Sequence, residues 1–276
     1  MENFQIKALE LRKDVLKIVM SGSCGHIGGD MSMMESLTAI YNRMNINPHN
    51  LTDPNRDRFV LSKGHTVEAL YSVLADKGIL NLNEIIEQYS KFGSQYIGHP
   101  NNKLNGIEMN SGSLGHGLSV CVGMALAGKM DGKSYRVYTI MGDGELAEGS
   151  IWEAAMCAAN YRLDNLCAVV DRNHLQISGN TEDVMKQESI ADRFESFGWN
   201  VIVVNNGNSY AEINDALDLC EATKGKPSIV IAETVKGYGS KVMENRAEWH
   251  HKVPTLDEAQ QIESDLNKLI EDLKNE

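Results

Sequence analysis

The chain reads as an α/β protein with a mostly parallel sheet and helices on both faces. Three observations carry that reading. Short apolar runs of strand length recur at Tyr135–Met141, Leu166–Val170, Asn200–Val204 and Ser228–Thr234. Runs with helical spacing lie between them, at Ser150–Tyr161, Ile190–Phe197 and Tyr210–Thr223, and a period near 3.6 marks a helix that buries one face. Strand and helix alternate from His65 onward with no internal repeat, low-complexity segment or linker, the pattern of βαβ units. The 276 residues are read as one domain spanning residues 1–276. It has an N-terminal helical and loop segment at 1–58 and a C-terminal helix at 255–276.

The elements follow in order. Asn3–Met20 places Ile6, Leu9, Val15, Leu16 and Val19 on one helical stripe. A glycine-rich loop, Ser21–Gly29, carries His26 and leads into a helix at Met31–Tyr41. Pro48–Arg58 is a polar loop, and Phe59–Ser62 is a short strand ending in Lys63-Gly64-His65. Thr66–Lys77 is a helix closed by Gly78, since glycine readily takes the left-handed position after a helix. Leu82–Phe92 is a further helix, followed by Gly98-His99-Pro100. A second glycine-rich turn, Gly112-Ser113-Leu114, precedes a Gly- and Ala-rich helix at Leu118–Lys129. His174–Thr181 is a polar loop, and Leu256–Leu273 an acidic amphipathic helix.

Composition narrows the function. A formal net charge of −12 argues against nucleic acid and anionic membranes as partners, because both require basic patches. No apolar run has the length of a membrane span, and Met1–Leu11 lacks a signal-peptide core. Five cysteines without C-x-x-C spacing read as reduced core residues of a cytoplasmic protein.

The chemistry concentrates at Gly142-Asp143-Gly144 and Asn173. Each follows a strand, so two oxygen ligands arrive at the carboxyl edge of the sheet, where ligands bind in open α/β folds. Mg²⁺ prefers octahedral oxygen coordination with one or two protein ligands and phosphate oxygens. Asp143 offers a carboxylate, Asn173 an amide oxygen, and Leu175 a backbone carbonyl where the chain turns. Gly142 and Gly144 let backbone approach a diphosphate, and the following helix points its N-terminus at the anion. Gly-Asp-Gly alone is also ordinary turn punctuation; the paired Asn173 favours the ligand reading.

Gly142-Asp143-Gly144 followed by Asn173 resembles the thiamine diphosphate motif. The neighbouring segments resemble transketolases, in the half that binds the cofactor diphosphate. Arg58-Phe59-Val60-Leu61-Ser62-Lys63-Gly64-His65 resembles a transketolase signature, and Ser23–Gly29 its Ser-Gly-His-Pro-Gly-Gly loop, with Ile27 replacing Pro and Asp30 standing where small residues are frequent. Glu248-Trp249-His250-His251 resembles a Trp-His-Gly segment, with His251 in place of Gly. The resemblance implies thiamine diphosphate with Mg²⁺ or Ca²⁺ as cofactors. It also implies transfer of a two-carbon glycolaldehyde unit from a ketose phosphate to an aldose phosphate. His26, His65, His99 and His250 are implied to face cofactor or sugar. Gly112, Ser113 and Leu114 are implied to meet the ring end of the cofactor, and Lys236 and His250 its diphosphate. Glu148 suits a helix N-terminus by charge and, by resemblance, lies at the dimer contact and communicates with the catalytic carboxylate of the partner.

In this family a glutamate on a second, pyrimidine-binding domain activates the cofactor. The resemblance therefore implies a separate C-terminal subunit that supplies it, with sugar phosphates as substrates and a heterotetramer as the assembly. The alternatives are a deoxyxylulose phosphate synthase-like or unusual sugar phosphate enzyme, and a non-catalytic cofactor-binding subunit. The alpha chain of a 2-oxo acid dehydrogenase shares Gly-Asp-Gly and Asn but not Leu61-Ser62-Lys63-Gly64-His65.

Overall fold

The computed structural model describes residues 3–275; residues 1, 2 and 276 of the expected span lie outside it. Five parallel strands form the sheet: β1 (Arg58–Leu61), β2 (Val137–Gly142), β3 (Leu166–Arg172), β6 (Asn200–Val204) and β7 (Ser228–Glu233). Their order is β1-β2-β3-β7-β6. Register is continuous across the centre, with Ile140 opposite Leu61 and Val169, and Val169 opposite Val230. Two-residue strands β4 (Leu175–Gln176) and β5 (Gly179–Asn180) form a separate hairpin inside what the sequence presents as a polar loop.

Both faces of the sheet are covered, and strand side chains alternate between two cores. Leu61, Ile140, Val169 and Val230 face one core, while Val60, Met141, Val170 and Ile231 face the other. That two-sided burial is why the strands read as unbroken apolar runs. The first core is closed by α1 (Phe4–Gly22), α2 (Ile27–Ser32), α3 (Met34–Arg43), α4 (Val67–Asp76), α5 (Leu82–Gln88), α10 (Tyr210–Ala222) and α11 (Leu256–Asn275). The second is closed by α6 (Gly117–Met130), α7 (Gly149–Asn160) and α9 (Ile190–Ser196). A single turn, α8 (Thr181–Val184), follows the hairpin.

Local chemistry sets the boundaries. Asn3 caps α1, its side chain accepting from Gln5 N and Ile6 N, which satisfies two of the free N–H groups at the helix start. Gly78 takes φ 70° just past α4, as expected of a residue ending a helix. The helix expected at Met31–Tyr41 starts earlier and is broken at Met33 into α2 and α3. Ser32 is held from outside: its hydroxyl donates to Asp171 Oδ2 at 2.6 Å and its carbonyl accepts from Asn208 Nδ2 at 3.0 Å. Periodicity carries no trace of such tertiary bonds. The helix expected at Leu82–Phe92 ends at Gln88, because Ser90 turns to φ 59°. Arg12, fully buried on α1, anchors this corner through paired bonds to Glu35 (2.7 and 2.6 Å) and Met31 O.

The carboxyl ends of β1, β2, β3 and β7 open on the same edge and carry Lys63, Asp143, Asn173 and Lys236 just beyond them. Ile140, fully buried between β1 and β3, holds that edge in register. Ile140→Ala leaves a cavity and is expected to lower unfolding free energy by about 2–5 kcal/mol, as read by urea denaturation.

Candidate active site

The floor of the site is a buried ion pair. Asp171, at the end of β3, is fully buried and pairs with Lys63, which follows β1. Ser32 Oγ, Asn173 Nδ2 (3.1 Å) and Thr234 Oγ1 also donate to the Asp171 carboxylate. Burial pushes this carboxyl up, but Lys63 and the bonds from Lys63, Ser32 and Thr234 outweigh it and hold the group below the usual carboxylate range. Lys63 also donates to Gly29 O at 3.2 Å. A Cβ on Gly29 would stand 2.8 Å from Thr66 Cγ2 and 3.6 Å from Lys63 Nζ, so α2 approaches the pair this closely only with glycine there.

Above this floor lies a cleft of about 150 Å³ lined by Lys63, His65, Leu114, Gly142-Asp143-Gly144, Asn173, Leu175, Lys236 and His250, among others. Asp143 is 3 % exposed. Its Oδ1 accepts from Gly144 N at 2.8 Å and its Oδ2 from His174 N at 2.7 Å. Burial, reinforced by Asp171, raises its pKa to about 6. Asn173 gives its NH₂ to Asp171 and Ser32, which leaves Oδ1 as the free end, accepting from Leu175 N at 3.1 Å. Lys236 reaches in from beyond β7, its Nζ 3.2 Å from both Leu175 O and His250 Nδ1. Burial and Lys63 lower its pKa to about 8.

Beside the cleft the imidazoles gather. His26 and His65 have ring centroids 5.1 Å apart, His65 and His250 stack at 5.1 Å, and His26 lies 6.2 Å from His99. A fifth ring, His251, lies 4.6 Å from His26. Burial is the largest cause lowering each of four: His26 to about 4, with help from His251 and His99; His250 to about 3, with help from Lys236; and His65 and His99 in the same direction. They are therefore neutral at pH 7, each with one N–H and one lone pair. Among the described residues no group of three or more His, Cys, Asp or Glu is arranged to hold a metal.

The structure thus brings His26, His65, His99, His250, Leu114, Gly142, Asp143, Gly144, Asn173, Leu175 and Lys236 to one edge. Three residues singled out in the sequence stand apart from the diphosphate cleft. Glu148 is exposed at the start of α7 and makes no side-chain cap bond. Ser113 is exposed. Gly112 (φ 145°) packs against His99, whose Cδ2 would be 2.7 Å from a Cβ there. Only Leu114 of that turn lines the cleft. Sequence reasoning passed over Asp171, visible in Asp171-Arg172-Asn173, and Glu145, whose carboxylate accepts from Ser62 Oγ, Gly115 N (2.9 Å) and Gly142 N (3.0 Å). Glu145 draws three separate loops together, and no local motif announces it.

The donor set fits a hard divalent cation. Asp143, Asn173 Oδ1 and Leu175 O are all oxygens at one cleft, each with lone pairs to spare. Asp143 is the acid whose ionisation burial and Asp171 oppose, and a bound cation would relieve that cost. The Lys236 ammonium already stands against Leu175 O.

An α/β sheet that gathers a Gly-Asp-Gly turn, an asparagine and two lysines at its carboxyl edge defines a diphosphate-binding class of domain. Residues 5–267 match the family described as transketolase, thiamine diphosphate binding domain. One of the two apulose-4-phosphate transketolase subunits of Phocaeicola vulgatus is 47% identical over 278 residues, covering 99% of this chain and 98% of that protein. A 6-deoxy-6-sulfo-D-fructose transketolase subunit of a Clostridium species is 41% identical over 251 residues, covering 90% of each. The solved transketolase of Campylobacter jejuni superposes with a TM-score of 0.91 at 30% identity, covering 97% of this chain and 43% of that one. The chain spans about two fifths of the solved transketolases it matches. It belongs to the transketolase family and carries the family's thiamine diphosphate-binding domain.

Asp143→Asn separates stability from binding. Because the folded carboxyl is raised from 3.8 to about 6, the native state holds a proton that the unfolded chain releases, and stability falls as pH rises from about 4 to 6. The Asn variant lacks that loss. Without ligand it is expected to be more stable than wild type at pH 7 by roughly 2–3 kcal/mol, with the difference vanishing below about pH 4. Urea titrations across pH read this directly.

Proposed function

We propose that this chain is the cofactor-diphosphate subunit of a two-chain transketolase, paired with a separate C-terminal subunit that carries the pyrimidine-binding domain and its catalytic glutamate. The observation that carries the reading is the convergence of Asp143, Asn173, Leu175 O and Lys236 on one cleft beside four neutral histidines. Relatives of about the same length, each named as one subunit of a transketolase, support the division into two chains.

Thiamine diphosphate, when bound, supplies the nucleophilic carbon and electron sink for carbon–carbon cleavage. The residues of this chain do the rest. Asp143, Asn173 Oδ1 and Leu175 O hold Mg²⁺ or Ca²⁺, and Lys236 balances diphosphate charge. Lys63, already committed to Asp171, keeps the floor rigid. His26, His65, His99 and His250, being neutral, offer N–H donors and lone pairs to sugar hydroxyls without adding charge. The two-carbon unit comes from a ketose phosphate. We favour an unusual one, of the kind that the apulose-4-phosphate and sulfofructose relatives are named for. Exposed Met130, Met156 and Tyr161, on or beside α6 and α7, are candidates for the partner face, with Glu148 at the start of α7, and two copies of each chain complete a heterotetramer. Cytoplasmic residence is supported by five free cysteines. Among the described residues no helix is long and apolar enough to cross a membrane.

Native co-purification from the source, followed by a ketol-transfer assay with Mg²⁺ and thiamine diphosphate, tests this. A pyrimidine-domain chain that co-elutes, and turnover only in the mixture, are expected. Turnover by the chain alone, or a cofactor-loaded mixture without turnover, contradicts it. Lys236 makes a second prediction. Its pKa near 8 means that cofactor affinity weakens as pH rises above about 8, by up to about tenfold per pH unit. Lys236→Met is expected to bind weakly without that dependence, as calorimetric titration across pH would show.

A further inference from the structure

Behind the histidines lies a group of buried acids that diphosphate binding does not use. Asp30 and Glu68 are both 0 % exposed. Lys63, a cation that acts on Asp30, is committed to Asp171. Ala69 N donates to Asp30 Oδ1 at 2.9 Å, and the Tyr89 hydroxyl donates to Glu68 Oε1. The remaining oxygens, Asp30 Oδ2 and Glu68 Oε2, have no other donor among the described residues, and the two carboxyl groups bond to each other. Two carboxyl groups bond only with a proton between them, since an ionised carboxylate has no donor. Burial pushes both up, Asp30 well above its ordinary value and Glu68 to about 7, in keeping with a shared proton at neutral pH.

Each member of this group is tied to a histidine. Asp30 sits in α2, one helical turn after His26. Glu68 sits in the first turn of α4, three residues after His65. Glu68 Oε1 lies 2.7 Å from where a Cβ on Gly25 would be, and Gly25 (φ 149°) directly precedes His26. The Tyr89 hydroxyl lies 3.5 Å from the same point on Gly98, which directly precedes His99. Tyr71, also on α4, donates to Ile97 O at 2.9 Å. Three segments distant in sequence therefore meet on one acid pair.

We propose that Asp30, Glu68 and Tyr89 are positioning residues, a proton-sharing clamp that fixes the loops bearing His26, His65 and His99 at their working separation. The inference rests on the proposed function only for what those histidines face. The charged and titratable groups around the pair are Lys63 beyond β1, Tyr71 on α4, Tyr89 after α5 and Cys24 before α2. Both phenols are pushed up by burial. Near neutral pH the pair therefore titrates before either phenol. Loss of its proton leaves two carboxylates in contact, and like charges held together in the interior repel.

The test uses the isolated chain with ¹⁵N-labelled histidine, following the ring nitrogens from about pH 5 to 9. His26 itself stays neutral across that window, its own pKa being about 4. The wild-type His26 and His99 signals are expected to show an inflection as the pair loses its proton. The double variant Asp30→Asn/Glu68→Gln, whose amides preserve shape and hydrogen bonding, is expected to keep the low-pH wild-type positions and lose the inflection. Glu68→Ala is expected to displace or broaden both ring signals. Identical titrations in wild type and the double variant overturn the clamp, as do unmoved rings in Glu68→Ala. If Glu68→Ala does not fold, the amide comparison decides alone. None of these readouts needs turnover, so a silent partner assay would count against the proposed function and not against the clamp.

Discussion

The Lys63–Asp171 ion pair is the contact on which the rest of the site depends. It joins the ends of β1 and β3 across the intervening β2, and draws in Ser32 from α2, Asn173 from the loop after β3 and Thr234 from the end of β7. A fully desolvated charge pair adds little net stability, but removing one partner strands the other at a cost of about 3–5 kcal/mol. Its value here is geometric. By taking the Asn173 NH₂, Asp171 fixes which end of that amide is free, and so fixes an oxygen, not a nitrogen, on the cleft side.

Around that pair the site is built from charges held at a disadvantage. Asp143 resists ionisation, Lys236 resists protonation, and the imidazoles resist both charge and solvent. Perturbed groups clustered in one cleft are characteristic of functional sites. A cation beside Asp143 and an anion beside Lys236 would each remove a penalty that the ligand-free chain carries. Binding energy and folding stability are thus set against one another at the same few atoms.

Much of this was legible in the sequence because the signals are local. Strand runs buried on both faces gave the parallel sheet, and Gly142-Asp143-Gly144 with Asn173 gave the edge that binds. Lys63-Gly64-His65 lay in plain view at a strand end, yet the role of Lys63 was not, because its partner Asp171 is 108 residues away. The break at Met33 and the bridging by Glu145 were hidden for the same reason: each depends on bonds from distant loops. His251 was visible as a departure in its segment, but its approach to His26 depends on how the turn at Ala247–His251 docks against α2. Glu148 illustrates the reverse. A residue beside a motif need not join the motif's cleft, and here the chain turns away before α7 begins.

The most direct test of the central claim is ³¹P NMR of thiamine diphosphate with the purified chain and Mg²⁺. If the cleft at the strand ends is the diphosphate site, both phosphorus signals shift and broaden when the chain is added. The effect requires Mg²⁺, is absent with thiamine monophosphate, and is lost in Asn173→Ala. Diphosphate signals that ignore the chain at millimolar concentration, or respond equally to the Asn173 variant, would contradict the account.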